Sequence, residues 1–245
     1  MNLVDAVYCL SLERLAERRK RSIALLAPIE YCPVYLLDAV DARRYTRQDF
    51  YNESIYEYKD WEMSKENSYI QMDYGMVNMT YWQRPVSMAE IASTVGHYLI
   101  WKHSYKMGYS NVLILEDDMD FDYNELRKGL SVYEEFVKHN SCDIFFLACN
   151  PFRDKRIMDE NVVQCDYAYN AHSYILTKDS FGILLNAGLL DNLIVTDEFL
   201  PALYGDHPRE DIQNLYSAKR KLMAYRLKEN VVRQNENPTT DLISA

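Results

Sequence analysis

Between Asn111 and Asp122 the chain reads NVLILEDDMDFD. Four apolar residues, Val112 to Leu115, run straight into Glu116, Asp117 and Asp118, with Asp120 and Asp122 close behind. A short apolar run of this kind reads as a strand buried on both faces, as in the middle of a parallel sheet. Open α/β sheets place their ligands at the carboxyl edge of such strands. In an extended chain Glu116 and Asp118 share one side, and Asp117 faces the other. Two carboxylates about 4 Å apart repel by roughly 4 kcal/mol at an effective dielectric of 20. The pair therefore calls for a raised pKa, a basic partner or a bound divalent cation, and all-oxygen ligands suit Mg²⁺ or Mn²⁺. The chemistry this suggests is a metal at a strand end that grips a diphosphate. The plain alternative is a solvated turn, with Asp122 capping the next helix.

Other chemistries find no support. A nucleophile-elbow hydrolase needs Gly-x-Ser-x-Gly, which does not occur, and His97, His103, His139, His172 and His207 show no HExxH spacing. Any one of these histidines is more often a satisfied or exposed residue than a catalyst. With 7 glycines, neither common glycine-rich phosphate loop is present. Cys9, Cys32, Cys142, Cys149 and Cys165 lack CxxC spacing, which predicts reduced thiols and no zinc site.

The elements that must position the acids follow an alternating pattern. LVDAVYCL (3–10) reads as a strand. A helix follows over Glu13 to Leu26, with Leu12, Leu15, Ala16, Ile23 and Leu26 on one face and Arg14, Arg18, Arg19, Lys20 and Arg21 on the other. Pro33 to Leu37 reads as a second strand ending near Asp41. Strand, helix, strand is the βαβ pattern of a nucleotide-binding half. Residues 44–86 are dense in tyrosine, contain Trp61 and Trp82 and lack periodicity, which predicts a flap or insertion. Ser87 to Glu90 is a capping box opening a helix to Met107. A helix from Asn124 to His139, strands at Asp143 to Cys149 and His172 to Leu176, a helix from Thr177 stopped by Gly188, and a short extended Leu193 to Val195 come next. Thr196 then serves as the cap of a helix through Asp197, Glu198 and Phe199. The whole reads as one α/β sandwich domain with its site along the carboxyl edge of the sheet, where Ser11, Asp41, the Glu116–Asp118 acids and Asp197–Glu198 all arrive.

Hydrophobic residues make up 48% of the 245, enough for a substantial core. The formal charge of −10 argues against nucleic acid as a partner. No stretch approaches the 18 apolar residues of a membrane span, and a strand expected from Leu3 leaves no room for a signal peptide. The expected location is cytoplasmic for the chain as it stands, or the endoplasmic reticulum lumen if a targeting segment has been trimmed from it.

Six segments, VYCLSLERLAERR (7–19), LLDAVDAR (36–43), RPVSMAEIASTVGHYLIWK (84–102), VLILEDD (112–118), SYILTKDSF (173–181) and TDEFLPALYGDHP (196–208), together resemble glycosyltransferase family 25. That group contains procollagen galactosyltransferases and bacterial lipopolysaccharide galactosyltransferases, and TDEFLP leans toward the collagen-modifying branch. The resemblance implies a GT-A-type, Rossmann-like α/β/α sandwich with a mostly parallel central sheet. It also implies transfer of galactose or glucose from a UDP-sugar, with Mn²⁺ or Mg²⁺ and inversion at the anomeric carbon. The family's DxD-like element falls on Glu116, Asp117 and Asp118, with Asp118 as metal ligand and Glu116 helping the metal or the ribose. Leu10, Ser11, Leu12 and Arg14 fall on the first strand-to-helix turn, whose amides are suited to uracil or phosphate. Asp41 suits base or ribose contact, Glu90 suits donor or acceptor contact, and Gln234 and Asp241, in the segment that closes over the donor, are weaker candidates. Ala89, Ala92 and Gly96 depart from the family's pattern around Glu90. An inverting displacement needs a general base. Asp197, with Glu198 as substitute, is the candidate, against the alternative that both acids merely complement a helix N-terminus. The acceptor implied is collagen-like protein or a glycan. A lipooligosaccharide galactosyltransferase and a catalytically silent nucleotide-sugar-binding module remain the other readings.

Overall fold

The computed structural model describes residues 4–63, 69–72, 75–78, 80–216 and 221–235. The elements, in chain order, begin with strand β1 (Ala6–Ser11), helix α1 (Ala16–Leu26), strand β2 (Val34–Asp38), a short helix α2 (Arg47–Asn52) and the hairpin β3 (Tyr69–Met72) with β4 (Gly75–Asn78). Helix α3 (Met88–Met107), strand β5 (Asn111–Glu116), the two-residue β6 (Met119–Asp120) and helix α4 (Tyr123–Val137) follow. Next come the long strands β7 (Ile144–Ile157) and β8 (Val162–Thr177) and helices α5 (Lys178–Leu185), α6 (Thr196–Tyr204) and α7 (Glu210–Leu215), then β9 (Ala224–Leu227) and β10 (Arg233–Gln234).

The central sheet has the order β2-β1-β5-β8-β7-β9. β2, β1 and β5 pair in parallel, as do β7 and β9, and β8 alone runs against its neighbours. The sheet is mostly parallel, as expected, but β5 itself is parallel only to β1 and antiparallel to β8. A continuous apolar run reports burial on both faces, not the direction of its neighbours.

Alternation along β5 divides the core. Val112 and Ile114 enter the cluster that holds Ile91, Ile100 and Trp101 of α3, Phe181 and Leu184 of α5 and Phe199 of α6. Leu113 and Leu115 enter the opposite cluster, with Leu26 of α1 and Leu126, Leu130 and Phe136 of α4. Helices therefore cover both faces of the sheet, giving an α/β/α sandwich. Glu116 inherits the α3 face from Val112 and Ile114, and Asp117 inherits the α1 face.

The helix ends explain themselves. Asp122 caps α4 by accepting from the amides of Asn124 and Glu125 at 2.8 and 3.2 Å. Ser87 and Glu90 form the expected capping box at α3 (3.2 and 2.8 Å), and Gly108 closes that helix at φ +72°. Thr196 is not the cap of α6. Val195 holds that position, and the Thr196 hydroxyl turns inward to Thr94 at 3.3 Å.

The Tyr-rich excursion is docked where described. Arg209 is buried between the rings of Trp61 and Trp82, 5.7 and 5.5 Å from their centroids. It also donates to the Trp61 and Asp60 carbonyls at 2.6 and 2.7 Å. Cation–π contact and charge-assisted hydrogen bonds together fasten this segment to the start of α7. No helix among the described residues is long and apolar enough to cross a membrane. The five cysteines carry free thiols.

Candidate active site

A cleft opens at the carboxyl ends of β1 and β5, and Leu10, Leu12, Arg14, Glu116, Asp117 and Asp118 all line it. Six of the residues expected at the site are thus brought together. The rest of its wall includes Arg18, the Ala39–Val40 turn after β2, and Ala89 and Ala92 near the start of α3.

The three acids meet three different environments. Glu116 accepts from His97 of α3, Nε2 to Oε1 at 3.0 Å. Behind His97, Trp101 Nε1 donates to the Tyr174 hydroxyl at 3.1 Å, and that hydroxyl lies 2.8 Å from His97 Nδ1. An indole N–H can only donate, so the Tyr174 hydroxyl accepts from Trp101, and a carboxylate can only accept, so His97 donates to Glu116 from Nε2. Burial opposes ionisation of Glu116, but the His97 bond and charge outweigh it and hold the carboxyl below its usual range.

Asp117 turns to the other face. Its side chain accepts from Arg18 and from the Leu12 amide at 3.2 Å, and its backbone carbonyl accepts from the Ser22 hydroxyl at 3.3 Å. Burial pushes its pKa up against the pull of Arg18. Asp117 thus braces β5 against α1, and the Leu12 amide, expected to meet the nucleotide, already serves this carboxylate.

Asp118 is the uncompensated member. Its Oδ1 is buried with no hydrogen-bond partner, Gln234 stands 3.5 Å from Oδ2, and the Arg18 guanidinium is 3.8 Å away. Burial, with the charge of Glu116 next, raises its pKa to about 7 despite Arg18. An orphaned carboxylate oxygen beside a second carboxylate fits a divalent cation. Among the described residues no group of three or more His, Cys, Asp or Glu stands ready to hold one. Glu116 and Asp118 would therefore hold such an ion with help from an oxygen-rich ligand such as a diphosphate.

Other expected residues are placed differently. Asp41 holds Arg14 through a 3.1 Å pair and accepts from the Arg43 amide at 3.2 Å, so it acts on the cleft by aiming Arg14. Glu90 is engaged by Arg84 through two 2.7 Å bonds and by the capping box, which makes it an anchor of α3. Ser11 is wholly buried at the end of β1. Gln234 reaches the acids from β10, and Asp241 lies outside the described residues.

The two candidate bases separate. Glu198 is 1% exposed and is held by the Tyr167 hydroxyl at 2.9 and 3.0 Å and by His207 at 2.6 Å. It is a buried brace of α6, with no free path to an acceptor hydroxyl. Asp197 is half-buried at the start of the same helix. Its charge and that of Glu116 both act on His172 and Tyr174.

Three residues that the sequence left as ordinary belong to it. Arg18 sits among the basic residues of α1, yet its side chain turns to the sheet edge. His97 lies 19 residues before Glu116, and His172 lies on β8. Only the pairing of β5 with both α3 and β8 brings them in. The spacing of Arg14 and Arg18, one turn apart in the helix expected over Glu13 to Leu26, is the one local signal, although α1 itself begins at Ala16 and Arg14 lies in the turn before it.

This arrangement agrees with comparison to known proteins. The family model "Glycosyltransferase family 25 (LPS biosynthesis protein)" matches residues 4–200. A "Glycosyltransferase 25 family member" of Anopheles gambiae is 26% identical over 83% of this chain and 32% of its own length. Procollagen galactosyltransferase 2 of Mus musculus is 23% identical over 88% and 33%. A procollagen lysyl hydroxylase and glycosyltransferase of Acanthamoeba polyphaga mimivirus is 22% identical over 98% and 26%. The chain spans about a third of the length of the first two. An α/β/α sandwich, an acidic strand end set in a cleft, and a family match over residues 4–200 converge on one assignment: the chain belongs to glycosyltransferase family 25.

Proposed function

We propose that the protein is an inverting hexosyltransferase that moves galactose or glucose from a UDP-sugar to a hydroxyl, the acceptor being hydroxylysine in a collagen-like protein. The observation that carries this reading is the cleft at the β1–β5 edge, where two arginines and three carboxylates meet and one carboxylate oxygen lacks a partner. The names of the animal and viral relatives support the acceptor class. Arg14 and Arg18 supply positive charge for the diphosphate, and Leu10 and Leu12 pack beside the base or ribose. Glu116 and Asp118 would hold Mn²⁺ or Mg²⁺, which when bound neutralises charge on the departing UDP. Asp197 takes the proton of the acceptor hydroxyl as its oxygen bonds to the anomeric carbon and the bond to the UDP oxygen breaks. His97 keeps Glu116 oriented throughout.

The test is UDP release and hexose transfer from UDP-galactose and UDP-glucose, with a hydroxylysine-containing collagen-like peptide or a truncated lipooligosaccharide as acceptor. Metal-dependent transfer to the peptide is expected. Transfer to the lipooligosaccharide alone would move the protein to the bacterial-type reaction, and no UDP release with either donor would make it a silent module.

A second expectation follows from Asp118. Lowering the pH through about 7 protonates this carboxyl, and the proton competes with the cation. Mn²⁺ affinity measured by electron paramagnetic resonance should weaken about tenfold between pH 8 and pH 6 from this group alone. A pH-independent affinity would remove Asp118 from the ligand set.

A further inference from the structure

A second cleft, of about 500 Å³, lies across the Asp118–Gln234 contact from the first. Its wall carries Asn150, Asn170, His172, Arg233, Gln234 and Asn235. The backbone around it is irregular. The β7–β8 ladder changes register between Ala148 and Asn150, and Asn170 adopts φ +65° within β8. Bulges of this kind re-aim side chains beside functional sites, and left-handed backbone at a non-glycine residue persists only where surrounding structure holds it. At the inner end stands His172, 5% exposed. The Asn170 and Val232 backbone lies beside its ring, yet neither ring nitrogen has a hydrogen bond of sound geometry. Ser173 of β8 pairs with Leu115 of β5, so His172 stands across from Glu116, and Gln234 of this wall contacts Asp118 of the first cleft, so the cleft abuts the proposed nucleotide site.

Resting on the reading above, we propose that this cleft is the acceptor subsite, that it takes an extended peptide, and that His172 hydrogen-bonds the incoming hydroxyl. Asn and Gln amides both donate and accept, matching the alternating N–H and C=O groups of a peptide backbone. Asn170 Nδ2 and Gln234 Oε1 touch at 3.4 Å, a weak contact that a ligand can replace. The wall holds one acid, Asp120, already paired with Arg21 at 3.0 Å, and one cation, Arg233, so backbone recognition by the amides, not charge, selects the ligand. His172 is a positioning residue in this scheme, and proton removal stays with Asp197.

Two measurements on the full chain test this. In the first, Asn150→Ala and Asn170→Gly are assayed with the hydroxylysine peptide; glycine accepts φ +65° without strain, so the backbone is kept. The KM for peptide should rise at least tenfold while the KM for UDP-hexose changes less than twofold. Equal changes in both, or none, would overturn the subsite. In the second, the His172 ring carbon–proton signal, assigned by through-bond correlation to its backbone, is followed while peptide is added without donor. It should move with the hydroxylysine peptide and less with the same peptide carrying lysine. If no hexose transfer is found, a moving signal keeps the peptide site and discards only the reaction. A signal that stays put, or that moves only with lipooligosaccharide, overturns the peptide assignment.

Discussion

Replacing Asp118 by asparagine should lower turnover by about a thousandfold while the protein stays folded. The size corresponds to about 4 kcal/mol of lost stabilisation of charge developing on the leaving diphosphate. The fold should survive because the carboxylate is a burden to it. Burial and the neighbouring Glu116 raise the pKa of Asp118 to about 7, so the folded state resists its ionisation. The sign follows from linkage. A carboxyl whose folded pKa is raised keeps its proton when the unfolded chain has lost its own, so stability falls as pH rises from about 4 to about 7. An amide in its place removes that fall, and the metal-free variant should melt at or above the parent temperature at pH 8. Transfer rates and thermal unfolding, measured side by side, decide the matter. Activity within threefold of the parent would discard Asp118 as the ion's ligand. Lost activity together with a lower melting temperature would return it to a structural role.

The second large effect concerns Gly205, which ends α6 on the far side from Asp197. A Cβ built there would lie 1.6 Å from the backbone carbonyl oxygen of Asp166 in β8. No rotamer relieves a clash with backbone, so α6 or β8 must move. Overpacking of this kind costs about 3 kcal/mol or more. Asp166 also accepts from the Asp206 amide at 3.1 Å and pairs with Arg153, so the displaced carbonyl belongs to a tied junction. Gly205→Ala should therefore lower the denaturation midpoint sharply, and should depress acceptor turnover more than UDP-hexose binding because α6 carries the proposed base, Asp197. Gly182→Ala, in α5, is the control, since nothing lies within 4 Å of a Cβ there. An unfolding midpoint for Gly205→Ala equal to that of the control would show that the junction yields freely.

Much of this molecule is legible in short stretches of the chain. The apolar run Val112–Leu115 ending in acids marks the central strand, and its period-two alternation puts Glu116 and Asp117 on opposite faces. Ser87 and Glu90 announce the start of α3, and the same local chemistry explains why Glu90 anchors that helix. Both are properties of a few consecutive residues, where side-chain spacing and backbone geometry leave little freedom. Asp197 and Glu198 show where such reading stops. They are adjacent acids at one helix start, and nothing in their immediate neighbours tells the buried brace from the proposed base.

Separating them required the packed helix. The first turn of α6 points Glu198 into Tyr167 and His207 and leaves Asp197 half-buried. In the same way Arg18 changes from a surface charge on α1 to the partner of Asp117, and His97 and His172, far apart in the chain, come to flank Glu116. Local spacing determines which face of a strand or helix a side chain takes. Which groups from distant segments share that face, and so which acid is compensated and which is left bare for a cation, is decided only when the sheet order brings β1, β5 and β8 side by side.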